Sequence, residues 1–175
     1  GEWLTKESWE RYSKEQPSGS VNHHYVKEPW METALRWPRM MISTDALPAV
    51  DTSLATNPNL AGTFSRVLGH YVRERQIFSL SEALAKMSLY QAQWMEQASP
   101  LFKRKGRLQI GADADIVIFD ATTVAANADY GDPYQPSTGI EHVLVGGQHV
   151  VKNAAHVDGL FPGQRLLGKL QPPTD

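Results

Sequence analysis

The carboxylate of Asp45 follows a short apolar segment, Met40–Ile42, and precedes a proline-containing stretch over residues 46–61. In an α/β barrel the loops that follow the strands form the active face, so a carboxylate placed there can act as an acid or a base. An aspartate after a strand can equally well cap the element that follows. Position alone therefore leaves catalysis and capping equally open for Asp45.

Histidines are the other side chains that could bind a substrate or a metal. His23 and His24 are adjacent, and consecutive strand residues point to opposite faces, so only one of them can face a barrel mouth. We select His24 as the substrate-binding candidate, against the alternative of a histidine on the exterior or in a loop. His142 and His149 are expected to be diagonal neighbours in a hairpin, roughly 7–8 Å apart. Two imidazoles without a third ligand make a poor metal site, so surface histidines are the simpler interpretation.

The elements that would position Asp45 are predicted from periodicity and capping residues. Strand, helix and strand in close succession before Asp45 form a βαβ pattern, which implies parallel strands. Thr5 can cap the first helix, and Ser79 and Glu82 have the spacing of a capping box at the start of a further helix. The predicted helices are Thr5–Gln16, Lys27–Arg36, Gly62–Gln76 and the segment that begins at Ser79, and the predicted strands are Val21–Val26 and Met40–Ile42.

After Ser99 the sequence changes from helical to strand-like patterns, so we place a domain boundary between residues 98 and 99. Ile116–Phe119 is an unbroken apolar run, which predicts a strand buried on both faces. Gly146–Gly147 is a two-residue hairpin signal that places Val145 opposite Gln148, Leu144 opposite His149 and Val143 opposite Val150. Asp113 and Asp115 are interpreted as carboxylates that shape a turn.

Composition excludes several classes of partner and site. The 175 residues carry a net charge of -2 and no cysteine, which rules out disulfides and cysteine-based metal sites. The sequence has neither a basic stripe nor an apolar segment long enough for a membrane span, so nucleic acid and membranes are not expected as partners. The chain begins with Gly1 rather than methionine, which is not a natural translation start; we expect a cytoplasmic location.

An ordered set of short motifs resembles the amidohydrolase superfamily, in particular its N-acyl-D-amino-acid deacylase branch. Each motif is weak by itself, whereas the order of the whole set, which covers about Val21 to Gly168, is specific. The motifs are Met40–Asp45, Gly62–Glu74, Ser79–Met87, Gly106–Asp120, Ser137–Ile140, Val143–Val145 and Pro162–Gly163.

The resemblance implies an α/β fold. Residues 1–98 would be the last units of a (β/α)8 metallo-dependent hydrolase barrel, and residues 99–175 part of a small β-sandwich. Asp45 matches the aspartate that ends the last barrel strand, lies beside the zinc site and serves as general base and acid. Zinc in such a site lowers the pKa of its bound water to about 7. Asp45 would be a metal ligand only together with ligands from an amino-terminal part outside this sequence.

The sequence departs from the family pattern at three places. Thr44-Asp45-Ala46 stands where Ser-Asp-Gly is usual, Asn57-Pro58-Asn59 where His-Pro-Arg is frequent, and Val145-Gly146-Gly147 where Val-Asn-Gly is common. The first two departures lie near the substrate loop that the resemblance implies, and they therefore bear on the choice of substrate.

The paired histidines of the family's first barrel strand are absent, and a complete barrel needs about 250 residues. We therefore expect this chain to be the carboxyl-terminal portion of a zinc-dependent amidohydrolase. The complete enzyme would hydrolyse a linear amide, an N-acyl-D-amino acid, while the chain alone would bind no catalytic zinc and be inactive.

Two alternatives stay open: a cyclic-amide hydrolase of the dihydroorotase or hydantoinase type, and a non-catalytic interaction or structural module. Strands cut from their barrel neighbours leave an unpaired edge. We therefore expect the chain to self-associate or to pair with the missing barrel part.

Overall fold

The structure is a computed structural model that describes residues 2–19, 21–46 and 57–168. Helices precede strands along the chain, and two of the helical segments continue as π-helix. The helical elements are α1 (Lys6–Glu15), α2 (Glu28–Leu35), α3 (Asn59–Arg66) with its π-helical continuation Val67–Glu74, α4 (Leu80–Leu84), a π-helical segment Ala85–Leu89, α5 (Tyr90–Met95) and a 3₁₀-helix Pro100–Arg104; the strands are β1 (Ile116–Phe119), β2 (Ile140–Val145), β3 (Gln148–Lys152) and β4 (Ala155–His156).

Two helix starts agree with their predicted capping residues. The Thr5 hydroxyl accepts a hydrogen bond from the Ser8 N–H at the start of α1. The Ser79 hydroxyl accepts one from the Glu82 N–H at the start of α4. Each bond satisfies a backbone donor that the first helical turn leaves without an intrahelical partner.

The main apolar core lies among the helices that surround the segment before Asp45. It combines one side chain from α2, one from the segment 40–46, two from the π-helical continuation of α3, two from the residues just before α4 and one from α4. Its buried members are Leu35, Ile42, Val67, Tyr71, Ile77, Phe78 and Ala83. None of the helices in the described ranges has the length and apolarity needed to cross a bilayer.

The two predicted parallel strands are not found in the described ranges. Residues 21–26 are exposed and join no strand ladder, and residues 40–46 also pair with no strand. The backbone N–H of Ile42 instead donates to the carbonyl of Lys86 in the π-helical segment, at 2.9 Å. The strand predictions were therefore wrong, because a parallel strand needs neighbouring strands and the described residues provide none.

The strands after Ser99 form one antiparallel sheet in the order β1-β2-β3-β4. The predicted pairs Val145–Gln148 and Leu144–His149 are confirmed. The predicted pair Val143–Val150 is wrong, because a bulge shifts the register and places Val143 opposite Val151. Such a bulge puts two residues of one strand opposite one of its partner.

Strand β1 is only half-buried, contrary to the prediction of burial on both faces. Val117 is 53% exposed and Ile118 is 48% exposed. Consecutive strand residues point to opposite faces of a sheet, so these exposures show that neither face of β1 is fully covered. A strand is buried on both faces only when a layer of structure covers each face.

The carboxylates of the Gly106–Asp120 motif hold neighbouring segments together. An Asp115 oxygen accepts a hydrogen bond from the Gly146 N–H in the hairpin turn at 2.8 Å, and its other oxygen binds Lys105. Asp113 pairs with Arg104 and with Lys105. Both carboxylates therefore have structural partners, which agrees with the interpretation that they shape a turn.

The substitution Asp115→Asn is expected to destabilise the chain at neutral pH but not at acidic pH. The hydrogen bond from Lys105, and then that from the Gly146 N–H, lower the pKa of Asp115 below its ordinary value. A lowered pKa stabilises the fold above the unfolded-state value of about 3.9, and this contribution is lost as the pH falls through the lower folded-state pKa. In urea unfolding at pH 7, Asp115→Asn should lower the unfolding free energy by about 1 kcal/mol. Solvent exposure of the Asp115–Lys105 pair keeps this loss small.

The exposed Asp158 provides the matched control for this prediction. Asp158→Asn, a surface substitution, should change the unfolding free energy at pH 7 by no more than about 0.5 kcal/mol. An Asp115→Asn variant whose difference from wild type stays constant between pH 7 and pH 3 would contradict the assigned role of the carboxylate.

Candidate functional site

Asp45 lies exposed at the end of the segment that the core residue Ile42 anchors. Its φ of 49° falls in the left-handed region, which aspartate and asparagine occupy more readily than other residues with a β-carbon. The Ala46 N–H donates a hydrogen bond to the Thr44 hydroxyl oxygen at 3.3 Å, so the residues before and after Asp45 are bonded to each other. Unusual backbone of this kind is frequent at active sites, and this geometry presents the carboxylate to solvent.

Helical residues hold both backbone groups of Ile42. The Ile42 N–H donates to the Lys86 carbonyl at 2.9 Å, and the Ile42 carbonyl accepts from the Gln91 side-chain amide at 2.9 Å. The same amide nitrogen donates to the Lys86 carbonyl at 2.6 Å. Lys86 and Gln91 thus replace the hydrogen bonds that a neighbouring strand would make with Ile42.

Sequence reasoning did not select Lys86 or Gln91. Lys86 lies three residues after Ala83, a core residue, and next to Met87, which packs against the core. A lysine inside an apolar helical stripe is unusual, because burial of its charge is costly without partners. This was the available signal, whereas nothing in the sequence pattern distinguishes Gln91 from the other glutamines of the same helix.

His24 is exposed, and two aromatic rings lie beside it. Its ring lies edge-on to Tyr130 with 4.4 Å between the ring centroids, and 5.1 Å from the ring of Trp3. Tyr130 belongs to the long connection between β1 and β2. In the described residues no hydrogen bond or ion pair joins His24 to Asp45, so the structure leaves their joint participation in one site as a prediction.

The described residues do not form a metal site by themselves. His142 and His149 are close, with 5.3 Å between their ring centroids, which confirms that they are neighbours in the hairpin. Nevertheless, residues 2–19, 21–46 and 57–168 contain no group of three or more histidine, aspartate or glutamate side chains that could hold a metal ion. A catalytic zinc typically takes three protein ligands, so Asp45 would need partners from other residues.

A second cluster of titratable groups surrounds His70. Its Nδ1 lies 2.9 Å from Glu74 and its Nε2 lies 3.2 Å from Glu28. Burial raises the pKa of Glu28, but hydrogen bonds with Tyr71 and His70 and the charge of Arg66 outweigh it, so the net pKa is lowered. The cluster links α2 to the π-helical continuation of α3, so its geometry indicates a structural role.

The model of the Amidohydrolase family matches residues 3–151 of the chain. The chain belongs to the amidohydrolase family. The match includes Asp45 and the ordered motifs up to the hairpin, so the family predicted from the sequence is confirmed.

Two relatives from Alcaligenes xylosoxydans xylosoxydans are similar to this amidohydrolase chain. An N-acyl-D-glutamate deacylase is 43% identical over 114 residues, which cover 65% of the chain and 22% of the relative. A D-aminoacylase is 36% identical over 149 residues, which cover 85% of the chain and 28% of the relative. The chain therefore spans about a quarter of the length of these relatives.

A solved structure extends the similarity to the backbone. The N-acyl-D-glutamate deacylase from Bordetella bronchiseptica, complexed with zinc and a phosphonate inhibitor, matches with a TM-score of 0.65 and 38% identity. The match covers 71% of this chain and 25% of that protein. The α/β architecture of this amidohydrolase chain is therefore that of a segment of a known deacylase fold.

Proposed function

We propose that this amidohydrolase chain is the carboxyl-terminal portion of a metal-dependent deacylase that hydrolyses the linear amide of an N-acyl-D-amino acid. The observation that carries the proposal is the 43% identity to an N-acyl-D-glutamate deacylase. The D-aminoacylase supports the same reaction class at 36% identity over most of the chain. These two relatives favour a linear substrate over the cyclic amide of the alternative hypothesis.

The division of the chain belongs to the same proposal. Residues 1–98 would supply the last units of the barrel, and residues 99–175 part of the β-sandwich. The change from helices to an antiparallel sheet after the 3₁₀-helix Pro100–Arg104 supports this division.

Asp45 is the residue that we propose for the reaction. An exposed carboxylate at the end of this segment can remove a proton from the attacking water and return it to the departing amine. The described residues provide no complete set of metal ligands, so this proton transfer is the only step that we assign to the chain. His24, beside Tyr130, would line the substrate pocket.

The chain would complete its barrel by pairing with the rest of the enzyme, or with another copy of itself. Several large apolar side chains before and after α2 support this expectation, because they are largely exposed in the chain alone. They include Val21, Tyr25 and Trp37, and burial of such surface stabilises an association.

The test is the release of free amino acid from paired enantiomers by the complete protein. N-acetyl-D-glutamate and N-acetyl-D-leucine should be hydrolysed, whereas their L-enantiomers, dihydroorotate and hydantoin should not. Hydrolysis of a cyclic amide alone would favour the alternative enzyme class. Equal inactivity of the zinc-loaded complete protein on all of these compounds would refute the deacylase proposal.

A further inference from the structure

We propose that Lys86 and Gln91 are positioning residues for Asp45. The inference rests on the proposed function, in which Asp45 is the reacting carboxylate. Neither residue needs to touch the substrate: both act through the backbone of Ile42, from which the chain continues to Asp45.

Lys86 is fully buried, with an exposed fraction of 0%. Its ammonium group donates to the Trp37 carbonyl at 2.6 Å, lies 3.4 Å from a Glu82 oxygen and faces the Phe78 ring at 5.9 Å. Burial of an ammonium group is costly, and an apolar residue of similar volume often fills such a site as well or better. Packing alone therefore does not explain why a lysine occupies this position, whereas the hydrogen bond from its ammonium group to the Trp37 carbonyl does.

Lys86 contacts the segment Trp37–Ile42 at both of its ends. The side chain binds the carbonyl of Trp37, and the backbone carbonyl binds the N–H of Ile42. Arg39, between these two points, has a φ of 60°, so the segment makes a turn that other contacts must hold. One residue thus fixes where the segment begins and where it enters the core.

The π-helical segment makes the Lys86 carbonyl available for this contact. The Tyr90 N–H donates to the carbonyl of Ala85, five residues earlier, whereas an α-helix would direct it to Lys86. The Lys86 carbonyl instead accepts from Ile42 and from the Gln91 amide. Single π-helical turns are frequent at functional sites. Here the turn leaves the Lys86 carbonyl available to bind Ile42 and Gln91.

Gln91 completes the arrangement through its NH₂ group, which donates to the carbonyls of both Ile42 and Lys86. Its Oε1 atom is buried and has no hydrogen-bond partner among the residues that the structure describes. The reverse orientation of the amide would direct that oxygen at two carbonyl oxygens, so only the observed orientation forms both bonds. The chain thus leaves one buried acceptor unsatisfied while it holds Ile42.

Ile42 and Asp45 are close enough along the chain for the contacts at Ile42 to affect the position of the Asp45 carboxylate. Three residues of extended chain span at most about 10 Å, so a shift at Ile42 displaces Asp45 directly. A misplacement of about 1 Å at a reacting group can cost on the order of 10²-fold in rate. We therefore expect the contacts at Ile42 to affect kcat more than substrate binding.

The experiment replaces Gln91 in the complete protein. Gln91→Glu keeps the shape but substitutes an acceptor for the NH₂ donor, and Gln97→Glu makes the same change at an exposed position of the same region. We expect Gln91→Glu to lower kcat by about 10- to 100-fold with KM within about threefold, and Gln97→Glu to leave both unchanged. Gln91→Met and Lys86→Met, which remove the donors without adding a charge, should lower kcat in the same direction.

Two further measurements separate positioning from a general loss of structure. Hydrogen exchange followed by mass spectrometry should show faster exchange in the peptide that spans residues 40–46 of Gln91→Met, with the other core peptides unchanged. In an Asp45→Asn background the Gln91 substitutions should cost little additional activity, since residues that act through one group are not additive. Full additivity, or a kcat within twofold of wild type in both Gln91 variants, would overturn the proposal.

A failure of the proposed function can be distinguished from a failure of the positioning role of Lys86 and Gln91. If the wild-type complete protein hydrolyses no N-acyl-D-amino acid, the deacylase proposal fails. The exchange measurement still decides whether Gln91 and Lys86 hold the segment 40–46: unchanged exchange in Gln91→Met would refute that contact independently of any activity.

Discussion

Asp45→Asn in the complete protein is expected to lower the kcat of the proposed N-acyl-D-amino acid hydrolysis by about 10²–10⁴-fold, the range that a general acid–base group contributes. Asparagine cannot accept the proton of the attacking water. It keeps the size of the side chain, and it tolerates the left-handed backbone that Asp45 adopts with its φ of 49°. The substitution therefore removes the proton transfer while it leaves the local conformation available.

The decisive comparison pairs activity with stability. Asp45 is exposed, so Asp45→Asn should change the melting temperature by no more than the exposed control Asp158→Asn does. Steady-state kinetics should show the loss in Asp45→Asn alone. A kcat within threefold of wild type in that variant would remove Asp45 from the reaction, even if the deacylase activity itself were confirmed.

Gly139→Ala is expected to destabilise the fold by about 3 kcal/mol or more, through two mechanisms that act together. Gly139 has a φ of +73°, and a β-carbon built on it would lie 2.6 Å from the Cα and the N of Val124. Left-handed backbone costs a residue with a β-carbon about 1–2 kcal/mol. The clash is with backbone atoms, which cannot move aside as the end of a flexible side chain can.

Gly111 separates the two mechanisms. Its φ is +85°, but a β-carbon there would have no neighbour within 4 Å, so Gly111→Ala should cost only the backbone strain of about 1–2 kcal/mol. Urea unfolding of the two variants measures both amounts. Equal losses at the two glycines would show that the contact with Val124 contributes nothing to stability.

Local signals predicted much of the fold, because their physical cause lies within a few residues. The caps at Thr5 and Ser79 and the hairpin turn at Gly146–Gly147 depend on adjacent residues only, and the structure confirms each of them. The bulge that moves Val143 opposite Val151 was not predictable in this way, because it arises from the pairing of whole strands.

Interactions over long distances in the sequence account for what sequence reasoning missed. Asp45 could be selected because the motif around it resembles a family, while Lys86 and Gln91 follow it by more than 40 residues. Their hydrogen bonds to Ile42 depend on the π-helical segment, and the predicted helix does not specify that segment. The apolar pattern before Asp45 predicted a strand, but a strand also needs a pairing partner, and within the described residues no strand pairs with this segment.

The peptide group at Val124 connects the helices to the sheet. Val124 is 1% exposed, and its carbonyl accepts a hydrogen bond of 2.6 Å from Arg73 in the π-helical continuation of α3. Gly69 packs against the same carbonyl, and Gly139 packs against its Cα and N. Because these contacts join the two sides of the proposed boundary at residue 99, we expect the helical and sheet portions to unfold together rather than independently.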